Sequence, residues 1–353
     1  MNQLKEIFNK KKIISIEEFI DKSLYGKKFG YYLNKNPFGK EGDFITAPLI
    51  SPLFSEMIAI WIISFWEKEN KPNNLSVVEL GPGNGQLSKI LNDVFKRFPD
   101  FYKVVNIFLY EKSKKLKSVQ KKNINSLKVK WISNLKSLKK GPVIFFGNEF
   151  FDSIPIKQFI RKNNIFYERF VKMNKNNSIE IVNKKALNKD VKYLKKYSTL
   201  NKSHFIEYPK QGFKELDKIT NVLNKLKGGL LLIDYGYIKQ QNKDTIQSIK
   251  NKKQNNIFKN FGQSDITYLV NFKLLNEYFS IKKLNIFKII TQSFFLKTIG
   301  ILKRAEILSS KMTFKEKSSL HARLERLLNP RIMGNLFKVI FVSKNIKKNK
   351  LGF

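Results

Sequence analysis

Between Val77 and Gly85 the chain reads Val-Val-Glu-Leu-Gly-Pro-Gly-Asn-Gly, an apolar run that ends in glycine at every second position, with a helical pattern starting near Gln86. Few folds accommodate such a segment. A buried strand that empties into a turn lacking side chains, and then into a helix, puts backbone N–H groups and a helix N-terminus at the carboxyl edge of a sheet. That is the edge at which open α/β folds bind ligands. The neighbouring sequence agrees. Short apolar runs at Ser76–Leu80, Ile107–Glu111, Val129–Ile132, Val143–Gly147, Gly229–Asp234, Lys282–Ile290 and Lys338–Ser343 predict strands, with helical spacing clearest at Gln86–Phe98 and Phe213–Leu226. Strands alternating with helices predict an open, largely parallel α/β sheet.

Two stretches break the alternation. Ile156–Val182 reads as two or three strands, with turns at Asn163-Asn164 and Asn174–Asn177, and predicts a β-hairpin insertion. Tyr237–Asp265 is rich in Lys, Gln and Asn with little periodicity and predicts a long loop over one end of the sheet. Before the sheet, Ile13–Leu24 has helical spacing and Tyr25–Phe44 has the Gly, Tyr and Asn content of a loop. Ser51-Pro52 then reads as an N-cap followed by proline at the first helical position. The helix it starts, Leu53–Trp66, is apolar around most of its circumference and is expected to be buried.

The glycine turn narrows the ligand. A dinucleotide fingerprint requires glycine at position 86, which is Gln. Gly81-x-Gly83-x-Gly85 with Glu79 two residues ahead suits a ligand without a pyrophosphate, whose amino-acid end the carboxylate reaches while an adenosyl group lies on bare backbone. S-adenosylmethionine has that shape. The alternative is a glycine-rich turn that holds no ligand. Glu111, at the tip of the second predicted strand, is placed to accept ribose hydroxyls, which fits a nucleoside but does not separate NAD from S-adenosylmethionine; alone it reads equally as a solvated strand-end charge.

The fourth predicted strand delivers Asn148-Glu149-Phe150-Phe151-Asp152-Ser153-Ile154-Pro155 to the same crevice. Asn148 and Phe151 have the Asn-x-x-aromatic spacing with which several amino-methyltransferases hold an acceptor nitrogen, and Glu149 and Asp152 add two carboxylates. Earlier, Gly42-Asp43-Phe44-Ile45-Thr46-Ala47-Pro48 forms a turn bracketed by Gly and Pro, in which Asp43 and Thr46 offer hydrogen-bonding groups. An ordinary loop with a helix cap would look the same.

Composition excludes other chemistries. There is no cysteine, which removes disulfides, thiol nucleophiles and Cys-ligated metals together. His204 and His321 lie far apart in the chain, so neither a zinc hydrolase nor a Ser-His-Asp enzyme is expected, and no metal. The net charge of +40 suggests attraction to nucleic acid or an anionic membrane. Only seven of the 68 basic residues are arginine, however, the residue that grips phosphate bidentately. Lys, Asn, Ile and Phe belong to A/T-rich codons, so a biased genome explains the same balance. The longest purely apolar run, Met57–Ile63, is far short of the roughly 18 residues that span a bilayer. The lysine-bearing N-terminus also carries Glu6, Glu17, Glu18 and Asp21 and no Arg, unlike a transit peptide. A soluble, intracellular protein is expected.

Taken together, these segments resemble the MidA-like S-adenosylmethionine-dependent methyltransferases. Gly42–Pro48 with Ile50-Ser51, Val78–Gly83, Asn148–Asp152 with Ile154-Pro155, and Ile233-Asp234-Tyr235-Gly236-Tyr237 occur in that family's order. Asp265-Ile266-Thr267 with Val270-Asn271-Phe272, Thr291-Gln292 with Phe294, Leu296 and Gly300, and Asn329-Pro330 with Met333-Gly334 also look like it, and the likeness covers about residues 13–343. Asn84 departs from it, standing where many relatives carry a basic residue, as do Leu49 in place of Glu and Ser293 in place of Gly. The resemblance implies a class I methyltransferase (Rossmann-like) α/β fold: a mostly parallel seven-stranded sheet with an N-terminal helical lid and a β-hairpin or loop insertion. Residues 1–74 would form the lid, 75–343 the core with insertions at about 156–184 and 237–272, and 344–353 a basic tail.

For the mitochondrial relatives the resemblance implies protein arginine methylation tied to assembly of respiratory complex I. S-adenosyl-L-methionine is then the cofactor, and the partner a protein bearing the acceptor arginine. We expect Glu79, Gly81, Pro82, Gly83, Gly85, Glu111, Asn148 and Thr46 to hold the donor, and Glu149, Asp152 and Asp43 to serve the acceptor. RNA methylation and a non-catalytic assembly factor with a methyltransferase shell are the alternatives. The location would be the cytoplasm in a bacterium, with the mitochondrial matrix as the alternative.

Overall fold

The computed structural model describes residues 2–8, 11–34, 46–344 and 352–353. Its central sheet has seven strands on a continuous path, labelled here β1 (Leu75–Leu80), β2 (Val105–Tyr110), β3 (Val129–Ile132), β4 (Val143–Asn148), β5 (Gly228–Tyr237), β6 (Asn285–Ile286) and β7 (Phe337–Lys344). Their order across the sheet is β3-β2-β1-β4-β5-β7-β6. β7 runs antiparallel to both its neighbours, and the pairings among β1 to β5 are all parallel. Two short strands pair alongside this path, Val270–Asn271 in parallel with β5 and Ile290–Thr291 antiparallel with β7.

Both faces of this sheet are covered, so the strands read as continuous apolar runs rather than alternating ones. Alternation still sorts the side chains. Val77, Ile107, Ile144, Leu231 and Phe341 enter one core cluster, which includes the Pro52–Lys68 helix. Val78, Phe145, Leu230 and Ile340 enter the other, with Lys210–Leu226 and Phe272–Ile281. Ser51 caps the Pro52–Lys68 helix by accepting from the Leu53 N–H at 3.3 Å. Trp61 of that helix sets its ring edge-on to Phe341, 5.0 Å between centroids. Phe353 packs against Phe295 at 5.5 Å.

Several segments differ from their sequence expectation. Ile13–Ser15 is a strand, with the helix starting only at Ile16. It pairs antiparallel with Ile165–Met173, and tertiary pairing overrides the helical spacing there. The inserted hairpin is a five-stranded antiparallel sheet: Lys157–Lys162, Ile165–Met173 and Ile179–Lys185 are joined by Ile13–Ser15 and by Phe205–Tyr208. The stretch Tyr237–Asp265 is not a bare loop. Gln247–Lys250 and Lys253–Asn255 form a hairpin that pairs with Asp265–Thr267, its polar side chains concealing the period. Lys282–Ile290 is not one strand, because Phe272–Ile281 is helical and only Asn285–Ile286 and Ile290–Thr291 reach β7. Among the described residues no helix is long and apolar enough to cross a membrane.

Candidate active site

At the carboxyl edge of β1, Gly81 and Gly83 take φ of +61° and +54°, in the left-handed region that side chains disfavour. The turn is closed by the Gly85 N–H donating to the Pro82 carbonyl at 2.7 Å. The Asn84 side chain then accepts the Gln86 N–H at 3.1 Å, helping to cap the helix Gln86–Phe95, which has glycine at its N-cap. A cavity of about 950 Å³ opens over this turn. Glu79, Gly81, Pro82, Gly83, Glu111, Asn148, Glu149, Asp152 and Thr46 all line it. Gly85 does not; its bare backbone instead faces Ile124 and Gln120, and a Cβ there would lie 2.9 Å from Ile124. Asp43 lies outside the described residues.

Each carboxylate has its own environment. The Ser88 hydroxyl donates to Glu79, and burial pushes the Glu79 carboxyl up to about 7. Glu111 follows β2 and accepts the Ser113 N–H at 2.7 Å and the Gln120 amide at 3.2 Å; burial raises it as well. After β4 the chain turns sharply at Glu149, whose φ is +51°, a strained value for a residue with a Cβ. Its N–H donates to the Ile233 carbonyl of β5 at 3.0 Å. Its carboxylate accepts the Asn148 amide at 3.1 Å and the Ala47 N–H at 3.4 Å. Burial, then the Asp152 charge, pushes Glu149 up to about 7. Burial likewise pushes Asp152 up to about 6, and one of its oxygens, Oδ1, is buried without a hydrogen-bond partner.

The Asn-x-x-aromatic expectation is corrected. Phe151 is a core residue, 1% exposed, seated against Gly212, where a Cβ would come within 2.5 Å of its ring. Phe150 faces the cavity instead. The turn at Glu149 and the capture of the Phe151 and Asp152 N–H groups by Asp234 reverse the facing that a regular spacing implies.

The sequence also left residues unseen. Tyr25 and Tyr32 line the cavity with Asp265 and Arg326. The Tyr25 hydroxyl donates to the Ser153 carbonyl at 3.1 Å, and the Tyr32 hydroxyl to Asp265 at 2.9 Å. The only signal for the tyrosines was the unusual tyrosine content of a glycine-marked loop. Arg326, on the helix Phe314–Leu328, carried none.

The residues fit S-adenosylmethionine. Gly81 and Gly83 leave backbone bare where an adenosyl group would lie, and a Cβ at Gly81 would meet the Phe150 ring at 3.1 Å. Asn148 Oδ1 is a buried acceptor with no partner, and the nearby acceptors, Glu79 and Glu111, suit an amino group and ribose hydroxyls. Among the described residues no cluster of His, Asp and Glu could hold a metal.

A strand order of 3-2-1-4-5-7-6 with the glycine turn on its first strand and an acid after its second defines a Rossmann-like methyltransferase. The family model of S-adenosyl-L-methionine-dependent methyltransferases called Methyltransf_28 matches residues 57–290, and the chain belongs to that family, with S-adenosyl-L-methionine as its cofactor. Among curated proteins it is 27% identical to the zebrafish (Danio rerio) mitochondrial protein arginine methyltransferase NDUFAF7, over 93% of this chain and 83% of that one. It is 26% identical to the human protein of the same name, over 92% and 78%. A solved COG1565 superfamily member from Burkholderia thailandensis, bound to S-adenosyl-homocysteine, superposes with a TM-score of 0.83 at 20% identity. That match covers 100% of this chain and 93% of that one and shows the shared fold.

Proposed function

We propose that this protein methylates an arginine side chain of a protein substrate. The observation that carries the reading is the charge of the cavity. In a chain with 68 basic and 28 acidic residues, the described cavity wall holds seven carboxylates, from Asp21, Glu79, Glu111, Glu149, Asp152, Glu215 and Asp265, against Lys27, Lys112 and Arg326. Above about pH 7, where Glu79, Glu149 and Asp152 are ionised, such a wall attracts a cation and repels a phosphate backbone. This favours a guanidinium over RNA, whatever the +40 charge does elsewhere. The names of the curated relatives, mitochondrial protein arginine methyltransferases, support the same acceptor. A respiratory complex I type protein is the substrate that the family resemblance suggests. The location follows the source: the mitochondrial matrix as for those relatives, or the cytoplasm in a bacterium.

In this reading Gly81, Pro82, Gly83, Glu79, Glu111, Asn148 and Thr46 hold the donor, and Gly85 keeps the turn in shape. Bound S-adenosylmethionine supplies an already activated methyl group, so the protein's task is alignment. An arginine acceptor stays fully charged at any physiological pH. Glu149 pairs with the guanidinium, turns one nitrogen toward the donor and concentrates electron density on it. Asp152, with Oδ1 unpartnered, takes the proton that this nitrogen gives up; Asp43 is the third acid of this set. Incubating the purified protein with labelled donor and extracts of cells lacking the gene, then mapping methylarginine by mass spectrometry, tests the assignment. Label on arginine of a discrete protein supports it; label on RNA alone rejects it.

A further inference from the structure

The helix Lys114–Asn123 presents mostly lysine to solvent, yet it buries Gln120 completely, at 0% exposure. A buried primary amide has two N–H donors and one carbonyl acceptor to satisfy. Gln120 satisfies them all: Nε2 donates to the Gly83 carbonyl at 2.8 Å and to Glu111 Oε2 at 3.2 Å, and Oε1 accepts the Trp131 indole N–H at 2.9 Å. One side chain therefore bridges the glycine turn after β1 and the acid after β2. Trp131 fixes which way round the amide sits. An indole nitrogen only donates, so a flipped amide would set N–H against N–H at Trp131 and oxygen against oxygen at Gly83 and Glu111. One turn further along the helix, the Asn123 amide donates to the Asn84 carbonyl at 2.9 Å. Gly85, without a Cβ, lets the helix come this close.

We propose that Gln120 is the positioning residue of the donor site: held in one orientation by Trp131, it sets the Glu111 carboxylate and the Gly83 backbone at a fixed separation for the ribose and adenosyl parts of the donor. The inference rests on the reading that Gly83 and Glu111 bind the donor, and goes beyond it by naming what holds them in register. Gln120 touches neither the donor nor the acceptor in this arrangement. Its effect therefore falls on donor affinity and leaves turnover at saturating donor nearly unchanged.

Calorimetric binding of S-adenosylhomocysteine provides the test, with Gly83→Val and Glu111→Ala as reference variants for the donor site. Gln120→Glu keeps the shape and the Trp131 bond but sets a carboxylate against Glu111 Oε2 and the Gly83 carbonyl. We expect it to weaken binding by about 10- to 100-fold at pH 8. The deficit relative to the native protein should shrink toward pH 6, as a proton shared between the two carboxylates restores a donor. Lys117 on the same helix, Glu79 across the turn and Tyr25 from the helix Ile16–Tyr25 also interact with Glu111, and all three are common to native protein and variant, so the ratio isolates position 120. Gln120→Met, which fills the space without hydrogen bonds, should lose about 10-fold at every pH, and it carries the test if the charged variant does not fold. Binding by Gln120→Met within twofold of native, while Gly83→Val and Glu111→Ala lose it, would overturn the inference and leave the donor site standing. Undiminished binding by both reference variants would overturn the donor-site reading, and this inference with it.

Discussion

Asp234 Oδ2 accepts the backbone N–H of Phe151 at 2.9 Å, from the neighbouring strand end, and the next N–H, of Asp152, at 3.2 Å. The other Asp234 oxygen accepts the Tyr235 N–H at 2.9 Å. A carboxylate at the end of β5 thus pins the loop that follows β4, and it does so at the expense of its own ionisation: burial and the Asp152 charge both raise the Asp234 carboxyl. The strained turn at Glu149 persists because the residues on either side of it are held.

Asp234→Ala removes the acceptor and leaves buried N–H groups unpaired, each costing about 1–3 kcal/mol. The urea midpoint should fall accordingly. Methyl transfer should drop further than donor affinity, because Glu149 and Asp152 lie on the released loop while the glycine turn is untouched. Equal losses of both would show that the loop also serves the donor.

Gly83→Val should abolish binding of S-adenosylhomocysteine while the protein remains folded. The φ of +54° suits glycine, and a β-branched side chain both strains the turn and fills ligand space. Calorimetry against S-adenosylmethionine, S-adenosylhomocysteine and NAD is the check. Normal binding by a folded variant would place the donor elsewhere, and tight binding of NAD alone would contradict the choice of cofactor.

Acid groups in the cavity tie stability and turnover to pH in opposite directions. Burial holds Glu79 and Glu149 near 7 and Asp152 near 6, above their values in the unfolded chain. Between roughly pH 4.5 and 7 the folded state therefore binds more protons than the unfolded state, and these groups' contribution to stability falls as pH rises. The urea midpoint should be higher at pH 5.5 than at 7.5. In the proposed reaction methyl transfer needs the ionised carboxylate, so kcat/KM should rise with pH through about 7, and Glu149→Gln should flatten that arm.

The sheet was readable because its strands are buried on both faces. Val143–Phe146 is apolar throughout and Val77–Leu80 is apolar except for Glu79, and glycine marks the turn between strand and helix. Elements stabilised by partners far along the chain were not. Ile13–Ser15 is a strand only because Phe170–Lys172 pairs with it, and Gln247–Asn255 forms a hairpin from side chains without alternation. The site divides the same way. Glu79, Glu111 and Glu149 stand at strand ends, where topology alone brings them together. Facing within an irregular loop follows from a single positive φ at Glu149 and from Asp234 on another strand, so Phe150 and Phe151 could not be told apart by spacing. Gln120 sits in a helix of lysines, and nothing local distinguishes it from a solvated residue.

Affinity for generic RNA should be weak at physiological salt and should fall steeply as salt rises, as for scattered lysines acting through counterion release. A filter-binding titration across salt concentrations measures it. Nanomolar binding at physiological salt would instead favour RNA as the substrate.

In the proposed reaction Glu149 serves the acceptor and not the donor. Buried charge-assisted hydrogen bonds are worth roughly 1.5–3 kcal/mol, and a loss of that size felt only in the transition state slows turnover about 10- to 100-fold. The most direct measurement pairs S-adenosylmethionine affinity with single-turnover methyl transfer in Glu149→Gln, with Asp152→Asn alongside as the milder case. Affinity should stay within a few-fold of native while transfer falls by one to two orders of magnitude. If donor affinity collapses and residual transfer falls only in proportion, Glu149 belongs to the donor site and the acceptor role passes to Asp152 or Asp43.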